Sequence, residues 1–526
     1  MAPRLERRYV SKLVPSSEFM LFIVIVGTSF ADSVLTGYDS SLMGSLNVMP
    51  SYKSYFTLTT ATTSLNTASS YLGGCIGAFF AGHLTDWLGR RRAIWSSSAI
   101  TLIGAAFQAG AVNITMFIIG RIIVGIGMAV AVVATPTYVV EVARMSYRGF
   151  ALGLYYSCWN VGTLMASGIC YATNDWISTW GWRLPSLLQI VPSLFAAGIV
   201  FFIPESPRWL IGQDRHGEAL EVLAIVNSGG DKEDPKTLLQ FREISDTIRW
   251  EKTEGRQLTL VQAWTNKSNR KRLLLAATFS IVVMLCGNNT ITFYFGDMMT
   301  KAGITDSTTQ LEINIILTSW GLVISVVASW YTDRLPRKGL ACTSLGLLSL
   351  FMFALAGMTA KFGNSTDKSG IYGTIAMIFL CKAGYDIGIN PLTVLYPAEV
   401  LSYQIRATGM GLYALTTKMG GLVSTMAIPF SLKAIGWKTY LIFGSVDILY
   451  IVLIAIFWVE TRGLTLEAVD VKFGGVKHSD VPDLGDLDKA DTKITIEGVD
   501  LSPRGHTEEA GSVDLKVVAL SKAADV

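Results

Sequence analysis

The chain has 526 residues, of which 51% are hydrophobic and only 16% charged, with a mean hydropathy of +0.43. That excludes an ordinary soluble protein, a collagen, a coiled coil, a disulfide miniprotein and a disordered chain. The 43 Lys and Arg nearly balance the 40 Asp and Glu, so no global basic field points to nucleic acid as a partner. The composition is that of an integral membrane protein, where 49 glycines let helices approach closely and aromatic residues anchor at the interfaces.

Residues 1–19 form a polar, basic N-terminal tail without a cleavable signal pattern, and the apolar segment after it is too long for a signal-peptide core. It is read as the first membrane helix. A helix needs about 20 mostly apolar residues to cross the hydrocarbon core. That template matches 20–45, 62–85, 93–111, 114–139, 149–172 and 184–203, then, after a polar linker over 204–272, 273–297, 312–332, 340–360, 371–395, 407–430 and 438–459. The expected layout is an all-α membrane protein with twelve transmembrane helices in two six-helix bundles, 20–203 and 273–459, followed by a polar, largely disordered tail over 460–526. The second and eleventh spans are the weakest, because Thr60 to Ser70 is rich in hydroxyls and Lys418 interrupts the other. Hydropathy alone therefore predicts about ten.

Internal repetition restores them. Asp86-Trp-Leu-Gly-Arg90-Arg91 after the second span resembles Asp333-Arg-Leu-Pro-Arg337-Lys338 after the eighth. Glu141 precedes Arg148 by seven residues after the fourth span, as Glu399 precedes Arg406 after the tenth. Pro204-Glu205-Ser-Pro-Arg208 and Val459-Glu460-Thr-Arg462 follow the sixth and twelfth. Such repeats recur in secondary transporters. The basic clusters Arg90-Arg91-Arg92 and Arg334, Arg337, Lys338 fall on one side, which positive-inside logic makes cytoplasmic together with both termini and the linker. The sequon Asn364-Ser-Thr366 then lies outside and is a glycosylation candidate, whereas Asn266-Lys-Ser268 is not. The six cysteines show no metal-like or paired spacing and are read as small buried hydrophobes.

These motifs resemble the sugar porters of the major facilitator superfamily. Gly82-His-Leu-Thr-Asp86-Trp-Leu-Gly89-Arg90-Arg91 is similar to the signature after helix two, and Gly120-Arg121 through Glu141 and Arg148-Gly149 to that of helix four. Pro204-Glu-Ser-Pro-Arg-Trp-Leu210 is a close match to the motif after helix six. Tyr396-Pro-Ala-Glu399 and Glu460-Thr-Arg-Gly463 complete a resemblance over about residues 20–467; Gly37-Tyr38-Asp39 and Asn390-Pro391 look most like fungal lactose and cellodextrin permeases.

The resemblance implies proton-coupled sugar uptake at the plasma membrane by a monomer, with sugar, proton and the lipid bilayer as partners and no cofactor. An ionisable residue within a span is a functional candidate in its own right; by the resemblance Asp39 accepts the proton and Arg121 tunes it, while a fixed ion pair pinning two helices is the structural reading. Sugar hydroxyls and C–H faces need polar groups beside aromatic rings, and the substrate candidates are Tyr156, Asn288, Asn289, Tyr294, Asn390, Thr417 and Lys418. Val283, Met284 and Val394 depart from the family pattern. Asp86, Arg90, Arg91, Glu141, Arg148, Glu205, Asp333, Glu399, Arg406 and Glu460 are read as a cytoplasmic gate holding the two bundles together.

A second set of intramembrane charges is more individual: Asp32, Lys382, Asp386 and Lys418. Either Lys382 and Asp386, one helical turn apart, satisfy each other while Lys418 pairs with Asp32 or snorkels, or one lysine meets a carboxylate on a uronate or quinate-like substrate. With four histidines, no metal-binding spacing and no phosphate-binding loop, the sequence argues against an enzyme and against ATP-driven transport. A facilitator, an exporter and a non-transporting sugar sensor remain as alternatives.

Overall fold

The computed structural model describes residues 9–15, 17–56, 58–253, 260–332, 334–362, 367–402, 405–462, 469, 472–473, 495–496 and 517–518; the side chains of 145–150, 152–154, 156–157, 250–253, 260–261, 394, 406–407, 495–496 and 517–518 lie outside the description. The first bundle is built from α1 (Glu18–Leu46), a short α2 (Pro50–Tyr55), α3 (Thr60–Leu88), α4 (Arg90–Ala109), α5 (Ile114–Val142) and α6 (Met145–Thr173), with α7 (Trp180–Leu188) and α8 (Ile190–Ile199) in tandem as its sixth span. The linker folds into α9 (Pro207–Gly212), α10 (His216–Ser228), α11 (Pro235–Thr253) and α12 (Leu260–Thr265). The second bundle comprises α13 (Lys267–Leu285), continued by α14 (Asn288–Phe293) and α15 (Phe295–Lys301), then α16 (Ser307–Thr332), α17 (Arg337–Phe362), α18 (Lys368–Val400), α19 (Arg406–Ala434) and α20 (Lys438–Phe457). Two-residue strands β1 (Thr495–Ile496) and β2 (Val517–Val518) pair antiparallel in the tail.

Hydropathy and length single out 7 of the described helices as membrane spans, fewer than the ten the sequence predicts. The omitted ones include α3 and α19, as expected, and also α4, α6 and α13. In α3 the polarity turns inward: Ser64, Asn66, Thr67, Ser69 and Ser70 are all buried. A span whose polar side chains face protein need not look apolar to cross a bilayer.

The helix ends are set by local chemistry. Thr59 and Thr62 form a reciprocal capping box at the start of α3, and the Asn113 side chain accepts the Met116 N–H at the start of α5. Asn266, half of the second sequon, caps α13 through the Ser268 N–H. Gly89 joins α3 to α4 at φ 89°, a conformation that side-chain-bearing residues avoid, and a Cβ there would lie 2.6 Å from Glu205 Oε2.

Within the first bundle, α1 packs on α6 and α3 on α5; α6 with α16, and α3 with α19, join the two bundles. A Cβ on Gly37 would come within 1.9 Å of the Trp159 carbonyl oxygen, and one on Gly162 within 2.0 Å of that of Val34. Gly73 and Gly125 bring α3 and α5 equally close. With no hydrophobic force between helices in lipid, such contact between main chains supplies the packing. Between bundles, Asn174 Nδ2 donates to Thr308 Oγ1 at 3.2 Å and Asn314 Nδ2 to Ser167 Oγ at 3.0 Å on the side away from the linker. Deeper in, Asn160 Nδ2 donates to Ser325 Oγ at 2.7 Å.

Overpacking costs about 1–3 kcal/mol where side chains can shift, and at Gly37 a main chain stands in the way. Gly37→Val is therefore expected to abolish the monodisperse peak in fluorescence-detected size-exclusion chromatography, whereas Gly168→Ala, with open space around its Cβ, keeps it.

Candidate functional site

Between the bundles lies a cavity bordered by residues of α1, α3, α5, α6, α13, α14, α18 and α19. Asp39 and Arg121 stand on its wall, each about 1% exposed. Arg121 grips the carboxylate from both ends of its fork, Nη1 to Oδ1 at 3.1 Å and Nη2 to Oδ2 at 3.3 Å. Gln189 Nε2 donates to Oδ1 at 2.9 Å and Ser70 Oγ to Oδ2 at 2.9 Å. Four hydrogen bonds from α3, α5 and the α7–α8 junction thus converge on one carboxylate of α1. The sequence reading names the ion pair and misses Gln189 and Ser70. Gln189 sits at the α7–α8 junction where no motif marks it; the hydroxyl-rich run ending at Ser70 is a visible signal with no way to tell which hydroxyl is used.

The substrate candidates divide. Asn288, Asn289, Asn390, Thr417 and Lys418 border the cavity. Tyr294 does not: it borders a separate pocket on the side away from the linker and donates to the Thr425 carbonyl at 2.6 Å. Asn289 has a structural duty as well. Gly287, at φ 84°, interrupts the helix between α13 and α14, and Asn289 Nδ2 donates to the Met284 carbonyl at 3.0 Å and to Ser424 Oγ at 3.1 Å. A carbonyl freed in mid-membrane needs such a partner. Asn390 Nδ2 donates to Ser325 and Asp386, and Thr417 to the Tyr413 carbonyl. Asn288 keeps an unpartnered, buried Oδ1. The Tyr156 side chain lies outside the described residues. Rings at Trp159, Tyr71, Phe293 and Tyr385 also line the cavity; nothing in the spacing of these aromatics distinguishes them from packing residues.

The second set of charges resolves into one pair and two singles. Lys382 Nζ donates to Asp386 Oδ1 at 3.3 Å, as the one-turn spacing predicts. Asp32 accepts a hydrogen bond from Thr135 and forms no ion pair among the described residues. The pairing of Lys418 with Asp32 is therefore absent; Lys418 instead lies beside the Tyr71 ring, its Nζ 5.6 Å from the centroid.

On the linker face, the contacts described among the gate residues join partners within one bundle. In the first, Arg90 contacts Asp86 at 3.1 Å and Glu141 at 3.0 Å, Ser206 donates to Glu141, and the Arg91 N–H donates to Glu205 at 3.1 Å. In the second, Arg337 contacts Glu399 at 3.1 Å, Thr461 donates to Glu399, and the N–H groups of Arg337 and Lys338 donate to Glu460 at 2.8 and 3.1 Å. The two clusters are the same construction built twice. The side chains of Arg148 and Arg406, and Asp333 and Asn364 entirely, lie outside the described residues.

The twins differ in electrostatics. Burial raises the Glu205 carboxyl above its ordinary range, and its backbone donors offset that only in part. Glu460 is also pushed up by its partial burial, but the N–H groups of Arg337, Lys338 and Arg462 outweigh this and hold it below its ordinary 4.5. A depressed carboxylate contributes stability that is complete above the unfolded value and lost as pH falls through the folded one. The melting-temperature deficit of Glu460→Gln is thus expected in full at neutral pH and to shrink once the pH drops below 4.5. Glu205→Gln should show the smaller deficit at neutral pH; differential scanning fluorimetry in detergent reads both.

Comparison with known proteins agrees with this architecture. A family profile described as sugar (and other) transporter matches residues 24–473. The chain is 28% identical over 450 residues to the MFS-type transporter criB of Aspergillus cristatus, covering 86% of this chain and 92% of that protein. It is 27% identical over 465 residues to the MFS glucose transporter mfs1 of Aspergillus flavus, covering 84% and 87%. The solved structure of the proton:xylose symporter XylE bound to 6-bromo-6-deoxy-D-glucose superposes with a TM-score of 0.75 at 20% identity, over 87% of this chain and all of that one. With a matching profile over most of its length and two six-helix bundles enclosing a cavity, the chain belongs to the sugar transporter family of the major facilitator superfamily.

Proposed function

We propose that this protein carries a mono- or disaccharide across the membrane together with a proton, by alternating access around the inter-bundle cavity. The observation that carries the reading is the placement of Asp39. It is the acid on the cavity wall, and its partner there is the Arg121 fork. The fork closes on Asp39 only while α1 and α5 keep this spacing, so a movement of either helix changes the partners of the acid. An acid whose partners change with conformation is the requirement for coupling.

In the proposed cycle, proton and sugar enter from the side away from the linker, the bundles close over them, and the linker face then opens. The duplicated ion clusters there stiffen each bundle so that it moves as a body, consistent with rocking about a central site. The basic residues on that face support a cytoplasmic linker and termini; the proposed location is the plasma membrane. Relatives named as a glucose transporter and, by fold, a proton:xylose symporter support the substrate class and the coupling.

Each pH unit of gradient is worth about 1.4 kcal/mol, a factor of about ten in accumulation. Labelled glucose, xylose, lactose and cellobiose offered to transporter-null yeast at acidic pH should include at least one that accumulates above equilibrium and is lost with an uncoupler. Asp39→Asn is expected to reduce that accumulation about tenfold or more while preserving counterflow exchange. Equilibration indifferent to both would make the protein a facilitator, and no uptake despite surface expression would refute transport of these sugars.

A further inference from the structure

The cavity contains a lysine that forms no ion pair among the described residues. Lys418 is 8% exposed and borders the cavity, and among the described residues no carboxylate lies within the 4.0 Å of an ion pair to its ammonium. Each intramembrane acid nearby is already engaged. Asp39 accepts from Arg121, Gln189 and Ser70; Asp386 accepts from Lys382 and Asn390; Asp32 accepts from Thr135 and is not among the cavity-lining residues. Nor can the lysine snorkel. It stands twelve residues into the 29-residue α19, about 18 Å from the nearer end at the α-helical rise, beyond the reach of its own stem.

The position is nonetheless shaped for a lysine. A Cβ on Gly74 of α3 would sit 2.7 Å from Lys418 Cδ, so the glycine makes room for the stem, and the Tyr71 ring faces the ammonium. A buried ammonium held this deliberately in a low-dielectric pocket calls for an anion. The same wall offers the unpartnered Asn288 Oδ1 and the hydroxyls of Ser40 and Thr417, groups suited to substrate hydroxyls.

We propose that Lys418 is the binding group for a carboxylate on the substrate, which makes the preferred cargo an acidic polyol or sugar acid, such as a uronate or a cyclic hydroxy acid. This rests on the inter-bundle cavity being the transport site proposed above. A neutral sugar in the same place leaves the ammonium uncompensated. The acid supplies the missing charge through a charge-assisted hydrogen bond.

Equilibrium binding to the purified full-length protein tests this with probes matched in all but charge: D-glucuronate against D-glucose and D-galacturonate against D-galactose, with quinate alongside, at a pH where the acids are ionised. At least one acid is expected to bind about tenfold tighter or more than its neutral partner. Lys418→Gln should collapse that ratio to about one and Lys418→Arg should retain it. A ratio of one or less in the native protein, a ratio unchanged in Lys418→Gln, or no binding of any acid by monodisperse protein overturns the proposal. Uptake in cells separates the two readings: acid binding through Lys418 without accumulation refutes the symport alone, whereas proton-driven accumulation of a neutral sugar, with no preference for acids, refutes the role of Lys418 alone.

Discussion

A carboxyl group buried inside a membrane protein needs partners in place of the water it has lost, and Asp39 accepts four hydrogen bonds from three other parts of its bundle. That requirement organises the first bundle. For Arg121 of α5, Ser70 of α3 and Gln189 at the head of α8 to converge on one side chain of α1, the helix axes must come unusually close. The glycines at 37, 162, 73 and 125 remove the side chains that would keep them apart. Close packing and charge neutralisation are therefore one design constraint: removing one partner of a buried pair costs about 3–5 kcal/mol, and separating the helices would remove several at once.

The second bundle meets a related difficulty at the break after α13. Its interrupted backbone leaves a carbonyl in mid-membrane, and the Asn289 amide satisfies it while also reaching Ser424 of α19. The family-like asparagine thus holds the shape of the cavity wall, whatever further contact it makes there. At the linker face the gene-level repetition has a structural counterpart: an arginine on the third or ninth span, a glutamate at the end of the fourth or tenth, a hydroxyl donor, and a second glutamate accepting main-chain N–H groups.

Much of this is legible in the sequence, for identifiable reasons. The twelve-span layout follows from apolar length plus the repeat, and the Lys382–Asp386 pair from helical spacing. The Asp39–Arg121 pair follows from the rule that intramembrane charges seek each other. What could not be read depends on tertiary direction. Tyr294 directly follows the cavity-lining Phe293 yet turns to a different pocket, and Asn289, on the cavity wall, gives its amide to its own backbone. Gln189 carries no local signature because its role exists only where α8 passes α1. For the gate residues, charge type and membrane side are visible in a sequence, while the within-bundle partners of Arg90 and Arg337 are set by the packing of the helix ends.

The placement of Lys418 also has an electrical consequence. With Asp39 paired to Arg121 and Asp386 to Lys382, Lys418 has no ion-pair partner among the described residues and its ammonium is fixed near the middle of α19. An elementary charge crossing the whole membrane field is worth about 2.3 kcal/mol per 100 mV. If the second bundle rocks as a body, this charge samples only a fraction of that drop, but it does so on every turnover, loaded or empty. The resting voltage then enters the balance between the two orientations of the empty carrier, and a bound anion that neutralises the lysine removes it from that balance.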